Sequence, residues 1–194
     1  MGDDHVRPSS AASRATIVAQ QARRVATPPA MNCRIVAIDG PGGAGKSTLA
    51  KHVATRLGAQ IVCTDAFASW QHPLEWSSRL IEQVLDPLSH NQSGRYQRSD
   101  WDTRTLAEWH DVPVAAFLVL EGVSCSRAAF APYLAFRVWV STPREERLRR
   151  GLERDGQDAI GLWREWMARE DEYIDAERPR ERADLVVSGQ TDTT

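Results

Sequence analysis

The sequence predicts an α/β fold in which a parallel sheet is covered by helices on both faces. Short, continuous apolar runs alternate along the chain with segments in which apolar residues recur at helical spacing. A glycine-rich segment follows the first apolar run and precedes the first of these helices. The chain has 194 residues, of which 42% are hydrophobic and 26% charged, enough for one domain with a sizeable core.

Five apolar runs are the predicted strands, and four segments are the predicted helices between them. The strands are CRIVAID (33–39), QIVCT (60–64), AFLVLEG (116–122), AFRVWVS (135–141) and ADLVVSG (183–189). The helices are KSTLAKHVATRL (46–57), HPLEWSSRLIEQVLDPL (72–88), a charged segment from Pro143 and a Trp-bearing segment around 162–174. Strands that are apolar throughout are typical of a parallel sheet buried on both faces.

The first 30 positions differ in composition from the rest of the chain. Residues 1–30 are rich in Ala, Ser and Arg and close with two prolines before the first strand. Apolar residues between 17 and 25 recur at helical spacing, while acidic residues near the start argue against a targeting signal. We predict a tail with a docking helix over 1–30, one domain over 31–189 and a C-terminal tail over 190–194.

The overall composition argues against several classes of protein. A formal net charge of -2 disfavours a chain that coats nucleic acid, and no run approaches the roughly 18 apolar residues of a membrane-spanning helix. Cys33, Cys63 and Cys125 are widely spaced and form no CxxC motif, which fits a reducing compartment and gives no metal framework. We expect a cytoplasmic protein without nucleic-acid or membrane partners.

The glycine-rich segment matches the pattern of a phosphate-binding loop. Its residues are Gly40, Pro41, Gly42, Gly43, Ala44, Gly45, Lys46, Ser47 and Thr48. Glycines let backbone amides approach a phosphate closely, and the helix that follows points its positive end at the anion. Lys46 would reach the terminal phosphates, and the Ser47 hydroxyl would bind Mg²⁺. The segment therefore predicts a site for ATP and Mg²⁺.

Two carboxylates follow predicted strands, at the edge of the sheet where open parallel sheets bind ligands. Asp65 comes directly after the second strand, where it could accept a proton from a substrate hydroxyl; the alternative is a capping or turn residue. Glu121 ends the third strand, where it could hold the metal or assist as base; the alternative is a solvated strand end. Ser47, Asp65 and Glu121 are thus the candidate metal ligands.

A row of arginines lies on one face of the predicted charged helix. Arg144, Arg147, Arg150 and Arg154 are spaced by three, three and four residues. Such a face is commonly solvent-exposed, but guanidinium groups also stabilise the phosphoryl group during transfer. Arg147, Arg150 and Arg154 are therefore candidate catalytic residues in a helical lid.

Aromatic residues near the sheet edge are candidates for substrate contact. Phe67 follows Asp65 closely, and Trp70 and Trp101 fall in predicted loops, where each could stack on a planar base or pack in the core. Asp100, beside Trp101, could bind sugar hydroxyls. The seven tryptophans could also bring two copies of the chain together as a homodimer.

Several of these motifs, taken in order, resemble the uridine kinase-like P-loop kinases over residues 33–189. They are the phosphate-binding loop, Thr64-Asp65, RSDW (98–101), LEG (120–122) and RLRRGLERD (147–155). The resemblance implies a five-stranded parallel sheet, Asp65 as the base toward a 5′-hydroxyl and Asp100 at the ribose. It also implies an arginine-rich lid over Arg147, Arg150 and Arg154, and adenine near Ser188 and Gly189.

The expected function is ATP-dependent phosphorylation of a hydroxyl on a small acceptor, with a nucleoside such as uridine or cytidine favoured. A kinase of a sugar, an acid or a coenzyme precursor would use the same phosphate machinery. A nucleotide-binding regulator or slow NTPase would bind ATP without consuming an acceptor.

Overall fold

A five-stranded parallel sheet lies at the centre of the structure, a computed structural model that describes residues 10–68, 76–101 and 103–190. The described residues form seven strands: β1 (Arg34–Asp39), β2 (Gln60–Cys63), β3 (Gly94–Ser99), β4 (Leu106–Val112), β5 (Phe117–Glu121), β6 (Leu134–Ser141) and β7 (Leu185–Ser188). Of these, β3 and β4 pair with each other outside the central sheet. The sheet has the order β2-β5-β1-β6-β7, and all neighbouring strands run parallel. This confirms the predicted α/β fold.

Helices precede, follow or connect these strands. They are α1 (Ala11–Arg24), α2 (Lys46–Leu57), α3 (Ser77–Leu80), α4 (Asp86–Ser89), α5 (Arg144–Asp155) and α6 (Ile160–Glu177). A π-helical turn, Ile81–Leu85, joins α3 to α4 into one continuous segment. Among the described ranges, no helix combines the length and apolar character that crossing a bilayer requires.

The sheet buries both of its faces. Alternate residues of a strand point to opposite sides, and in β1 Ile35 packs into one apolar cluster while Val36 packs into the other. The first cluster includes the side chains of α3, the π-helical turn and α4. The second includes those of α1 and α2. Helices therefore cover both faces, as the apolar strands predict.

Helix α1 precedes the sheet and packs on α2. Ser10 caps it, since its side chain accepts a hydrogen bond from the amide of Ser13. Val18 and Ala22 are buried in the same cluster as α2. The proposed division of the chain at residues 30 and 189 stays a prediction, and its outermost positions, 1–9 and 191–194, lie outside the described residues.

An antiparallel hairpin of β3 and β4 is not among the elements that the sequence predicts. Both strands are largely polar, and within β4 Val112 alone is buried, so neither shows a clear alternation of apolar and polar residues. Contacts across the hairpin support it instead: the rings of Tyr96 and His110 stack with centroids 5.1 Å apart. Pairing of this kind is not visible in the linear sequence.

The carboxylate of Asp39, at the end of β1, joins three parts of the fold. Asp39 is 1% exposed and accepts hydrogen bonds from the amides of Gly40, Ser124 and Ser126 at 2.6, 3.0 and 2.9 Å. The hydroxyls of Ser126 and of Tyr173, on α6, donate to it at 2.6 and 2.7 Å. This network satisfies a buried charge and anchors α6 to the start of the glycine-rich loop.

We expect Tyr173→Phe to lower the free energy of unfolding by about 1.5–3 kcal/mol, the usual contribution of a hydrogen bond to a charged group. Burial raises the pKa of Tyr173, so its hydroxyl is a stable donor to Asp39. Tyr133→Phe is the control: its hydroxyl also donates to a carboxylate, that of Asp86, but at a half-buried position where solvent screens the interaction, so the loss should be smaller, about 1 kcal/mol or less. Urea unfolding of both variants measures the difference, and equal losses would contradict a special role for Asp39.

Candidate active site

The glycine-rich loop lies between β1 and α2, at the carboxyl edge of the sheet. Gly43 has a φ of 74°, and a Cβ there would lie 2.6 Å from the carbonyl oxygen of Arg147, so the position requires glycine. Gly45, with a φ of 95°, is the N-cap of α2, which begins at Lys46. Backbone amides at such a helix N-terminus attract anions. The loop therefore has the form of a phosphate-binding loop.

Lys46, Ser47 and Glu121 meet beside this loop. The Lys46 ammonium is buried and donates a hydrogen bond to the carbonyl oxygen of Pro41 at 3.0 Å. The Ser47 hydroxyl donates to Oε1 of Glu121 at 3.2 Å. Burial raises the pKa of Glu121, and the charge of Lys46 opposes that rise. The strand end predicted to carry a functional acid is thus buried, not solvated.

Asp65 lies in a single 3-10 turn, Thr64–Ala66, that follows β2. The N-cap of this turn is Cys63, so Asp65 is not its capping residue. Its side chain is exposed to the cavity that Glu121 also lines, and its negative charge raises the pKa of Glu121. Asp65 is therefore accessible to a ligand, whereas Glu121 lies deeper.

A cavity of about 890 Å³ brings these groups together. It is lined by the phosphate-binding loop with the first residues of α2, by the turn after β2, by the ends of β5 and β7, and by α1, α5 and α6. Asp65, Glu121, Trp101, Arg150 and Gly189 are among the lining residues. The cavity can hold a ligand as large as a nucleotide together with a small acceptor.

The chemistry of the donor groups fits magnesium. Ser47 and Glu121 offer oxygen atoms within hydrogen-bond distance of each other, at the point where a phosphate would enter the loop. Magnesium prefers one or two protein oxygens, with phosphate oxygens and water completing its coordination. In the described residues no group of three or more His, Cys, Asp or Glu side chains forms a metal site, so a cage made by the protein alone is not seen there.

The predicted lid arginines have different surroundings. Arg150 lines the cavity and donates to the carbonyl oxygens of Gly43 and Gly189 at 3.3 and 3.1 Å. Arg154 also lines it and pairs with Asp155. Arg147 does not line it: the side chain is buried, and its guanidinium forms an ion pair with Glu170, an arrangement that disfavours direct phosphate contact.

The predicted substrate-binding residues also differ in whether they line the cavity. Trp101 lines the cavity, and its indole N–H donates to the carbonyl oxygen of Asp65 at 3.0 Å. Phe67 is buried in the core against Trp76, so it belongs to the packing. Asp100 accepts hydrogen bonds from the amide of Thr103 and from Arg98, within the turn of the hairpin. Trp70 lies outside the described residues.

Comparison with known proteins points to kinases. Residues 36–69, which include the phosphate-binding loop and Asp65, match the cytidylate kinase family. A cytidylate kinase from Edwardsiella ictaluri (strain 93-146) is 33% identical over 133 residues, which are 64% of this chain and 56% of that protein. The chain thus spans little more than half the length of the curated relatives that it matches.

Solved structures extend the likeness to nearly the whole chain. A possible uridine kinase from Bacillus stearothermophilus superposes with a TM-score of 0.68 at 20% identity, covering 90% of this chain and 97% of that one. The chain has the P-loop kinase fold. A candidate fructose transport system kinase from Silicibacter sp. TM1040 gives a TM-score of 0.67 at 18% identity, covering 91% and 98%.

Three residues of this P-loop kinase fold lie at the site without having been singled out from the sequence. On α6, Glu170 accepts a hydrogen bond from Gly42 of the phosphate-binding loop. Trp166 donates to Glu170 and lines the cavity. Arg14, on α1, lines the cavity and donates to the carbonyl oxygen of Gln190 at 3.1 Å. Glu170 lies within a run of charged residues and Arg14 in an Arg-rich tail, so neither differs in pattern from a surface residue.

We expect Gly189→Ala to weaken nucleotide binding at least about tenfold, equivalent to about 1.4 kcal/mol. A Cβ at Gly189 would lie 1.8 Å from the carbonyl oxygen of Ala44, so the phosphate-binding loop must shift. Gly161→Ala is the control, since a Cβ there meets nothing within 4 Å and lies on a helix that alanine favours. Calorimetric titration of ADP with Mg²⁺ measures both, and unchanged affinity in Gly189→Ala would contradict this packing.

Proposed function

We propose that this chain is an ATP-dependent phosphotransferase that phosphorylates a hydroxyl of a small acceptor, most readily a pyrimidine nucleoside such as uridine or cytidine. One observation carries the proposal: Lys46, the Ser47–Glu121 pair and the exposed carboxylate of Asp65 line a single cavity. A phosphate-binding loop alone would suit many nucleotide-binding proteins. A carboxylate facing the same space gives it a group that can activate an acceptor.

The proposed roles follow from position and burial. Asp65, exposed to the cavity, would orient the acceptor hydroxyl and take its proton. Lys46 and Arg150 carry positive charge beside the loop and would stabilise the charge that develops on the phosphoryl group. Ser47 and Glu121 would hold Mg²⁺, which would supply positive charge to offset that of the phosphate groups.

The acceptor side of the cavity has aromatic and acidic walls. The rings of Trp101 and Trp166 lie with centroids 6.3 Å apart in an edge-to-face arrangement, and both line the cavity. Such faces suit a flat base. As a base, Asp65 would need an acceptor group that still carries a proton, which supports a nucleoside with a free 5′-hydroxyl over a nucleoside monophosphate, whose phosphate is already ionised at neutral pH. The names of two similar proteins, cytidylate kinase and possible uridine kinase, support a pyrimidine acceptor, whether a nucleotide or a nucleoside.

We further propose a cytoplasmic location. Cys33, Cys63 and Cys125 are free, and Cys33 and Cys125 are buried, which suits a reducing environment. Pairing of two copies also remains a proposal. Trp109 on β4 is half exposed and offers an apolar surface for it.

We expect Asp65→Asn to lower kcat by about 10²–10⁴-fold, the usual contribution of a general base, while ADP affinity stays within about twofold. Lys46→Ala should abolish measurable transfer, because the ammonium beside the loop is lost. The control is Asp111→Asn, an exposed carboxylate on the hairpin. Phosphorylated product and ADP are measured by chromatography in the same reaction, with uridine, cytidine, a sugar and no acceptor.

Transfer that survives Lys46→Ala would overturn the mechanism. Equal losses of kcat and ADP affinity in Asp65→Asn would remove its role as base. ADP release that no acceptor increases would instead identify a slow NTPase or a nucleotide-binding regulator.

We also expect kcat/KM to be at least about tenfold higher for cytidine than for its 5′-monophosphate, because Asp65 as a base favours an acceptor hydroxyl whose proton it can remove. Initial rates with each acceptor at saturating ATP and Mg²⁺ give the ratio. Uridine and its monophosphate provide an independent pair. A preference for the monophosphates would place the acceptor among nucleotides and contradict the role of Asp65 as a base toward a hydroxyl.

A further inference from the structure

A buried glutamate on α6 contacts the phosphate-binding loop directly. Glu170 is 1% exposed, and its Oε1 accepts a hydrogen bond from the amide of Gly42 at 2.7 Å. The same oxygen accepts one from the indole N–H of Trp166 at 2.5 Å. The other carboxylate oxygen forms an ion pair with the guanidinium of Arg147 at 3.1 Å. One side chain thus joins the loop, α5 and α6.

The contacts continue from Trp166 to the acceptor side of the cavity. Its ring meets that of Trp101 edge to face, with an interplanar angle of 71°. Trp101 in turn donates its indole N–H to the carbonyl oxygen of Asp65. A continuous series of contacts therefore runs from Gly42 in the phosphate-binding loop to the backbone of the proposed base.

Packing alone does not explain why a charged side chain occupies this buried position. Burial raises the pKa of Glu170, whereas the Gly42 amide and the charges of Lys46 and Arg147 lower it. Apolar residues of similar size commonly stabilise a buried site as well as an ion pair does. Only an acceptor atom, however, can hold the amide of Gly42 and the indole of Trp166 at once.

The packing around Gly42 leaves little freedom for independent movement. A Cβ at Gly42 would lie 2.9 Å from Oε1 of Glu170 and 3.3 Å from both Trp163 and Nε1 of Trp166. Since the loop and the tryptophan share one oxygen atom, displacement of either changes the hydrogen bond of the other.

We propose that Glu170 is a positioning residue that couples nucleotide binding at the phosphate-binding loop to the acceptor wall formed by Trp166, Trp101 and Asp65. The acceptor part of this inference rests on the proposed function, while the coupling from loop to tryptophans does not. A ligand that changes the loop changes the position of Trp101, and by reciprocity an acceptor held at Trp101 changes nucleotide affinity.

The test uses the full chain labelled with 5-fluorotryptophan, with the ¹⁹F resonances assigned through single Trp→Phe variants. Saturating ADP with Mg²⁺ should shift the resonance of Trp101, while Trp139, buried in β6, serves as the internal reference. In Glu170→Leu, which removes the acceptor oxygen, and in Trp166→Phe the shift of Trp101 should fall to less than half of its original value. Calorimetry should show ADP affinity within about threefold in Trp166→Phe, since that variant leaves the loop's own contacts in place.

Two variants control for misfolding and for a general effect of changing α6. Trp166→Phe retains the ion pair of Glu170 with Arg147, so it reports even where Glu170→Leu, which leaves Arg147 unpaired, fails to fold. Glu172→Leu, at an exposed glutamate on the same helix, should leave the Trp101 response unchanged. A Trp101 response that is absent in the original chain, or that persists undiminished in Trp166→Phe, overturns the coupling.

Kinetics separate this inference from the proposed function. With a phosphorylated acceptor identified, Trp166→Phe should raise the acceptor KM at least about fivefold and the ATP KM less than about twofold. Similar increases in both constants would indicate a merely structural role and overturn the coupling. If no acceptor is phosphorylated but ADP still moves the Trp101 resonance through Glu170, the proposed function fails and the coupling stands.

Discussion

The carboxylate of Asp39 is the interaction on which the rest of the site depends. It lies where β1 passes into the phosphate-binding loop, accepts a hydrogen bond from the Gly40 amide of that loop, and holds the segment that follows β5 and helix α6 through four more. Without these bonds, a buried charge would be left unsatisfied at the start of the loop. With them, the loop has a fixed origin, and α6 is held close enough for Glu170 to reach Gly42. The end of β1 thus fixes both the position of α6 and the start of the phosphate-binding loop.

Two carboxylates at neighbouring strand ends have different environments, which suit the different roles proposed for them. Glu121 is buried beside Lys46 and Ser47, where a carboxylate suits a cation. Asp65 is exposed to the cavity, where a carboxylate can meet a ligand and exchange a proton. Parallel strands place both at the same edge of the sheet, because their carboxyl ends align. The fold therefore supplies the two carboxylate environments that the proposed chemistry uses.

The parts of the fold that could be predicted are those with a strong local pattern. The apolar strands, the glycine-rich loop and the helix from Lys46 all carry such patterns, and all three are present. The hairpin of β3 and β4 lacks one, since its strands are mostly polar and its stability comes from pairing across the turn. Among the candidate residues, Phe67 and Arg147 proved buried, and burial depends on tertiary packing that spacing along the helix or loop does not reveal. Glu170 could not be identified because its partners lie 128 and 23 positions away in the sequence.

The contact between α1 and the residue after β7 bears on the order in which the site is built. Arg14 and Gln190 are 176 positions apart, and Gly189 packs on the loop at Ala44. Because the ribosome makes a chain from its N-terminus, the phosphate-binding loop emerges long before the strand that forms this wall of the cavity. A nascent chain therefore carries an incomplete nucleotide site. The wall formed by Ser188 and Gly189 is complete only once β7 has left the ribosome and joined the sheet, so any stabilisation by the proposed nucleotide should come late in synthesis.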